Sequence, residues 1–417
     1  AQAEGQAHGI LWEKRFDRMG KGMKTKTTSY LFFSPHGWRS TLNWSRQAFP
    51  SYFEATVSSI PDLGLGAYSC ANANDMNLSW SRDAVGFNTV WDAHFWWPYQ
   101  GMFFPPNTST WKSNLGKNER TRCGPHFAHG QDVSLDSIVS EYKDATEFGL
   151  VMLSYFNFNF FGQNVQLDQV MQDSPYESGD AWKNSSAFLK EHFLNATMQG
   201  PIYDWQKSVL MDPTQKVWLD WLLEQASATV DTIGDYFQGL VVDEPHLAEF
   251  NLRGDDGVSW CGRTCNSLAV GWLETARQIR SLLPSDSVML SNQIRTLRMD
   301  TLKSFDGIFS ETLDADVPHK CSINAIGLMT PGSMPGIVWT MNEGQLVTDQ
   351  FMQHHLIMGI SPMAPVIGND HALLPTNDKV NLLYVEYSNV FRELRGSRWY
   401  LDGTLHTLPT SGIAINA

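Results

Sequence analysis

The chain has 417 residues, 42% hydrophobic and 18% charged, a composition that supports a large folded core and argues against disorder. Its net charge of −14 excludes the basic surface that nucleic-acid binding requires. No apolar run reaches the roughly 18 residues of a membrane span.

Residues 1–30 read as an N-terminal extension, with a short basic run from Lys21 to Lys26 that suits a solvated segment. From residue 31 onward, short apolar, β-branched or aromatic runs alternate with helical stretches. Strands are expected at residues 65–70, 88–92, 149–156, 239–243, 287–291, 307–310, 336–340 and 356–362. A helix over 133–148 carries Ile138, Tyr142 and Phe148 among charges. A second, over 213–237, takes Asp212 as N-cap and Pro213 as its first residue. Val217, Leu219, Trp221, Leu222, Ala226, Val230 and Ile233 follow it at close to helical period. A third covers 266–283, and His354-His355 belongs to a helix before the last strand. This alternation predicts an α/β chain folded as a (β/α)8 TIM barrel over residues 31–400, with 401–417 starting a C-terminal β segment. The competing doubly wound sheet would carry a glycine-rich loop after its first strand; Gly64-Leu-Gly66 precedes that strand and has no third glycine in step.

In a barrel the chemistry sits at the carboxyl ends of the strands. Strand 2 ends in Trp91-Asp92-Ala-His94-Phe-Trp96-Trp97, strand 3 in Tyr155-Phe-Asn157-Phe-Asn159 and strand 4 in Asp243-Glu244-Pro245-His246. Strand 5 ends in Asn292-Gln293, strand 6 in Glu311 and strand 7 in Trp339-Thr340, while strand 8 leads to Gly368-Asn369-Asp370-His371. These residue types suit sugar binding. Glycoside cleavage needs two carboxyl groups, one as nucleophile or base and one as proton donor. Asp243 and Glu311 form the expected pair, as nucleophile and acid/base, with Glu244 the chief rival for either role. Asp92, Trp97, Asn157, Glu244, His246, Asp256, Asn292, Trp339, Asp370 and His371 are the expected substrate-binding residues. Asp243 could instead cap the following helix, and Asp255-Asp256-Gly could be a turn or a sugar-binding lid.

Asn43, Asn77, Asn107, Asn184 and Asn195 each open an N-x-[ST] acceptor, so a secreted, extracellular glycoprotein carrying N-linked glycans is expected. Five cysteines are too few for a disulfide-built scaffold, but Cys261-Gly-Arg-Thr-Cys265 is a disulfide candidate closing a small loop. No second Cys/His pair stands near it, so neither a metal nor another cofactor is expected. Sixteen tryptophans include some in polar surroundings, where indole faces can hold sugar rings.

The segments Tyr99 to Pro106, Gly149 to Asn157, Met211-Asp-Pro213, Asp255 to Trp260 and Gly368 to His371 resemble a branch of glycoside-hydrolase-like barrels similar to the α-galactosidase-type clan. The resemblance spans residues 30 to 405 and rests on the order of the motifs. It implies retaining hydrolysis of an α-linked glycoside, with an Asp nucleophile after strand 4 and an acidic donor after strand 6, positions matched by Asp243 and Glu311. The chain departs from the clan's pattern in offering Glu311 for the usual Asp, and Asp243-Glu244-Pro245 where relatives carry Asp-Arg. Related barrels continue into a β-sandwich, which would begin where this sequence ends. A metal-dependent hydrolase using Asp243, His246 and His371 lacks the clustered His-x-His spacing such barrels show, which leaves two main functions open. One is an active glycosidase; the other is a catalytically silent structural or carbohydrate-binding glycoprotein, able to form an oligomer or extracellular assembly.

Overall fold

The computed structural model describes residues 22–31, 33, 38–52, 64–69, 82–83, 86–92, 110–112, 132–161, 188–189, 191–192, 197–198, 209–243, 250–292, 303–312, 337–340, 348–358, 361–362, 378–394, 405–407 and 414–416. At its centre is a seven-stranded sheet made of β1 (Gly66–Ser69), β2 (Thr89–Asp92), β3 (Val151–Asn157), β4 (Gly239–Asp243), β5 (Val288–Asn292), β6 (Gly307–Thr312) and β7 (Ile337–Thr340). The strands lie side by side in chain order, and every neighbouring pair is parallel. The described helices are α1 (Trp38–Ala48), α2 (Leu135–Glu147), α3 (Lys216–Ile233), α4 (Ala269–Leu282), α5 (Asp349–Met358) and α6 (Asp378–Leu394).

Chain order has a physical consequence. Parallel crossovers are right-handed, so a sheet that never reverses direction receives its helices on one face. Side-chain alternation agrees. Met152, Phe156, Leu240, Val242 and Met289 join Tyr142 of α2, Trp218 and Leu222 of α3 and Trp272 and Ile279 of α4 in one core. Each such apolar side chain contributes about 1.5–3 kcal/mol by leaving water. The alternate residues Trp91, Leu153, Tyr155, Val241 and Leu290 are also buried but lie outside that cluster. Both faces of the central strands are therefore covered, which accounts for their unbroken apolar runs.

Close backbone packing fixes the sheet. Gly239 has φ 148°, and a Cβ there would stand 2.1 Å from the Val288 carbonyl oxygen. Gly86 has φ 77°, and a Cβ there would lie 2.4 Å from the Ser388 Cβ on α6. Beside it, Phe87 meets Tyr384 of α6 edge to face at 5.3 Å. A helix that follows β7 in the chain thus packs against the entry to β2. At the start of β5 and β6, the buried Asp306 accepts from Arg280 Nη1 at 2.8 Å and from the Met289 N–H at 2.8 Å. Arg280 also donates to the Ser287 and Pro284 carbonyls, tying α4 to both strands.

Three sequence expectations need correction. Residues 356–358, expected in an eighth strand, end α5; Thr348 Oγ1 accepts from the Phe351 N–H and opens that helix. The helix expected from 213 begins at Lys216, because Asp212 accepts from the N–H and hydroxyl of Thr214 and holds 212–215 as a turn. Asn266 and Ser267, expected as helical, belong to the strand Thr264–Ser267. That strand pairs with Ser259–Trp260 and Phe250–Asn251 in a small antiparallel sheet inserted between β4 and α4. Leu405–Thr407 pairs antiparallel with Ala414–Asn416.

Candidate active site

The apolar run of β4 carries Asp243 as its last residue, 5% exposed, into a polar cluster supplied by the two neighbouring strands. Tyr155 of β3 donates its hydroxyl to Asp243 Oδ2 at 2.5 Å, and Asn292 of β5 donates Nδ2 to Oδ1 at 2.5 Å. Register explains the meeting. Asn157 pairs with Asp243 and Tyr155 with Val241, so Tyr155, Asn157, Val241 and Asp243 share the face turned away from the helices. Ser291 pairs with Val242, which brings Asn292 alongside Asp243.

A second layer of contacts holds these donors. Asn157 Nδ2 donates to the Tyr155 hydroxyl at 3.1 Å, and its Oδ1 accepts from the Asn159 N–H at 2.8 Å. Trp91 of β2 stacks on the Tyr155 ring, centroids 5.6 Å apart and planes within 7°. A carboxylate oxygen offers two lone pairs. A donor on each oxygen, from Tyr155 and Asn292, fixes the orientation of the Asp243 carboxylate.

Glu311 lies on β6 and is placed by its backbone. Asn292 pairs with Phe309, and Glu311 stands two residues further along, paired with Trp339 of β7. It thus shares the alternation that carries Asn292 and Asp243. Two strand spacings and two residue rises put the Cα positions of Asp243 and Glu311 about 10 Å apart across the sheet and about 7 Å along it. Asp92 differs: it pairs with Ser154, whose hydroxyl meets that of Tyr142 on α2 at 2.5 Å, one position off the series holding Tyr155 and Asp243. Tyr155 and Trp91, not chosen from the sequence, belong to the site. Their signal was the two-residue step from Tyr155 to Asn157, which places both on one face.

The Asp256 carboxylate is taken up by its own loop and so acts as a turn former rather than a lid residue. It accepts from the N–H groups of Val258, Ser259 and Ser267 and from the Ser259 hydroxyl at 2.6–3.3 Å. Burial alone would push its carboxyl up, but these hydrogen bonds hold it below its ordinary value. Nearby, the buried Asp212 accepts from Asn251 Nδ2 at 2.8 Å and Asn266 Nδ2 at 3.2 Å, clasping the inserted sheet to the start of α3. Cys261 and Cys265 are free thiols rather than a disulfide. They lie diagonally across the hairpin turn, in the 259–265 and 260–264 register. Burial, with Cys261 and Asp256 close by, pushes the Cys265 thiol up to about 12.

Asn43 is mid-helix in α1, where Gln47 Nε2 donates to its Oδ1 at 3.3 Å. Trp97, Glu244, His246, Asp370, His371, Asn77, Asn107, Asn184 and Asn195 lie outside the described residues. Among the described residues, no group of three or more His, Cys, Asp or Glu could hold a metal, and no helix is long and apolar enough to cross a membrane.

No protein-family model and no curated protein matches the chain. Solved structures do. An α-N-acetylgalactosaminidase from Bifidobacterium bifidum superposes with TM-score 0.52 at 10% identity, covering 88% of this chain and 59% of that one. A GH36 α-galactosidase from Geobacillus stearothermophilus, in complex with 1-deoxygalactonojirimycin, gives 0.50 at 12% identity, covering 88% and 47%. The fold is glycoside-hydrolase-like. The chain spans about half the length of these two neighbours, and identity this low speaks for the fold alone.

Proposed function

We propose that the chain is a glycosidase that hydrolyses an α-linked glycoside with retention, using Asp243 as nucleophile and Glu311 as acid/base. The observation that carries this reading is the buried Asp243 carboxylate, oriented by Tyr155 and Asn292 at the carboxyl end of a central parallel strand. Fold likeness to two glycosidases, one holding a sugar-like ligand, supports it.

The reading takes the sheet as seven strands of a (β/α)8 barrel. Three observations support closure: unreversed strand order, a buried face opposite the helices, and the return of α6 to Phe87. In the first step an Asp243 oxygen bonds to the anomeric carbon while the glycosidic C–O bond breaks. Glu311 gives its proton to the leaving oxygen. Water then attacks the anomeric carbon, losing a proton to Glu311 as the ester bond to Asp243 breaks. Export from the cell and N-glycosylation belong to the same proposal and rest on the sequence acceptors.

Asp243→Asn is expected to abolish release of 4-nitrophenol from a panel of aryl α-glycosides while still folding, as read from its far-UV circular dichroism. Azide should restore turnover in Asp243→Gly and yield a glycosyl azide. Full turnover by Asp243→Asn would overturn the assignment. The second reading, a silent carbohydrate-binding glycoprotein, draws on the 5% exposure of Asp243 and the donor on each of its oxygens. Glycoside binding by wild type with no product would decide for it.

A further inference from the structure

Cys261 and Cys265 flank a tight turn at the tip of the inserted sheet, and both are free thiols. Trp260 pairs with Thr264 across the ladder, and the Cys261 N–H donates to the Arg263 carbonyl at 3.1 Å. The Cys261 Sγ donates to the same carbonyl at 3.8 Å. The two sulfurs are neighbours, since the Cys261 thiol itself helps to push the Cys265 thiol up. Diagonal partners across such a hairpin stand about 7–8 Å apart at Cα, with their Cβ atoms closer. A disulfide spans up to about 7 Å between Cα atoms. Joining the pair takes a backbone shift of about an ångström, and the turn has room for it: no atom lies within 4 Å of where a Gly262 Cβ would stand.

The two thiols are not equivalent. Cys261 is partly exposed, whereas Cys265 is fully buried. Burial pushes the Cys265 thiol up to about 12, with Cys261 and Asp256 adding to the rise and Arg263 opposing it. The thiolate is the reacting form of a cysteine, and a molecule arriving from water meets the exposed sulfur first. Arg263, exposed in the same turn, supplies the positive charge that favours thiolates there. Once Cys261 is capped, its share in holding Cys265 protonated is gone.

We propose that Cys261 and Cys265 form a thiol–disulfide exchange site for small-molecule disulfides, with Cys261 taking the disulfide first and Cys265 resolving it into a closed hairpin. Cys261 loses its proton to solvent and attacks one sulfur of the small disulfide, whose S–S bond breaks as the other half leaves as a thiolate. The Cys265 thiolate then attacks the Cys261 sulfur, and the second small thiolate leaves. Two protein thiols are oxidised, one small disulfide is reduced to two thiols, and the protons released by the cysteines end on those thiols. Because the pair sits at the outer edge of disulfide geometry, the bond is strained and readily reduced. The site therefore opens and closes with the surrounding thiol pool, independently of the glycoside reading.

Wild type, Cys261→Ala and Cys265→Ala are incubated with oxidised glutathione, sampled over time, blocked with N-ethylmaleimide and mapped by mass spectrometry after trypsin. Cleavage at Arg253, Arg263 and Arg277 puts the two cysteines on separate peptides, 254–263 and 264–277. In wild type, glutathione is expected first on Cys261, followed by a link between the two peptides with loss of two hydrogens. Reduced glutathione then reopens the link. Cys265→Ala should stop at the Cys261 adduct. In folded Cys261→Ala, Cys265 should take up glutathione at least about tenfold more slowly than Cys261 does in wild type. The proposal is overturned if Cys261 takes no glutathione, if Cys265 reacts first, or if the Cys261 adduct persists in wild type without a link. Linkage of Cys261 to Cys70, Cys123 or Cys321 instead overturns it as well. So does a link that reduced glutathione cannot open, because that bond is structural. Should either variant fail to fold, the order of adduct and link in wild type decides alone.

Discussion

The Tyr155 hydroxyl meets Asp243 on one side and Asn157 on the other. Removing it takes one donor from Asp243 Oδ2 and one acceptor from Asn157 Nδ2. Tyr155→Phe should therefore cost about 1.5–3 kcal/mol of stability, the usual range for a hydrogen bond to a charged group. On the proposed mechanism it should also lower kcat on the aryl panel by about 10- to 100-fold, through misorientation of Asp243. Urea unfolding and steady-state kinetics on the same preparation test both, and unchanged kcat would count against Tyr155 as the orienting donor. The strand ending in Asp243 was legible in the sequence because an unbroken apolar run stops there at a carboxylate. Tyr155 was not: inside Leu-Ser-Tyr-Phe-Asn it reads as core, and only the pairing of β3 with β4 turns its hydroxyl toward a carboxylate. Asp256 was left open between a turn and a lid for a related reason. An Asp-Asp-Gly string signals a tight loop but does not say whether the carboxylate turns inward to the backbone, as it does here, or outward to a ligand.

Between β4 and α4, the small antiparallel sheet is held by its own short ladders and by two aspartates. Asp212 gathers Asn251, Asn266 and Thr214, and Asp256 gathers the backbone at Val258, Ser259 and Ser267. The carboxyl of Asp256 is held below its ordinary value. Its contribution to stability is therefore fully present above the unfolded carboxyl range, about pH 4. It fades as pH falls through the folded value. Wild type should lose unfolding free energy in that acid window, whereas Asp256→Asn should be less stable at pH 7 and flatter below pH 4. Urea midpoints across pH 3–7 report the difference, and parallel curves would refute the role given to Asp256. At this scale the expected α3 began too early because Asp-Pro resembles a helix start; the Thr214 contacts hold those residues as a turn instead. The residues expected to form an eighth strand are apolar without a clear period, so sequence could not separate strand from helix there. The Thr348 cap, three residues ahead of Phe351, was the signal to weigh.

Across the whole molecule the strand sequence was readable because each strand is a short apolar run ending in a polar residue, and chain order then dictates sheet order. What brings α6 back to the entry of β2 was not readable. Gly86 and Ser388 touch across most of the chain, and nothing local to either residue announces it. Gly86→Ala should destabilise the protein by about 2–4 kcal/mol, combining a left-handed backbone penalty with overpacking against α6. Pairing it with Ser388→Gly should recover the packing share and leave the backbone share, as read from thermal unfolding of the single and double variants. No recovery would mean that the contact is not felt. The same contact governs when the protein can be finished. Translation proceeds at about 5–20 residues per second, and about 300 residues separate Gly86 from its partner helix. The entry to β2 therefore waits on the order of 15–60 seconds on the ribosome before α6 exists to cover it. For that interval Phe87 lacks its Tyr384 partner, and the nascent chain offers a binding segment to chaperones that the finished protein hides.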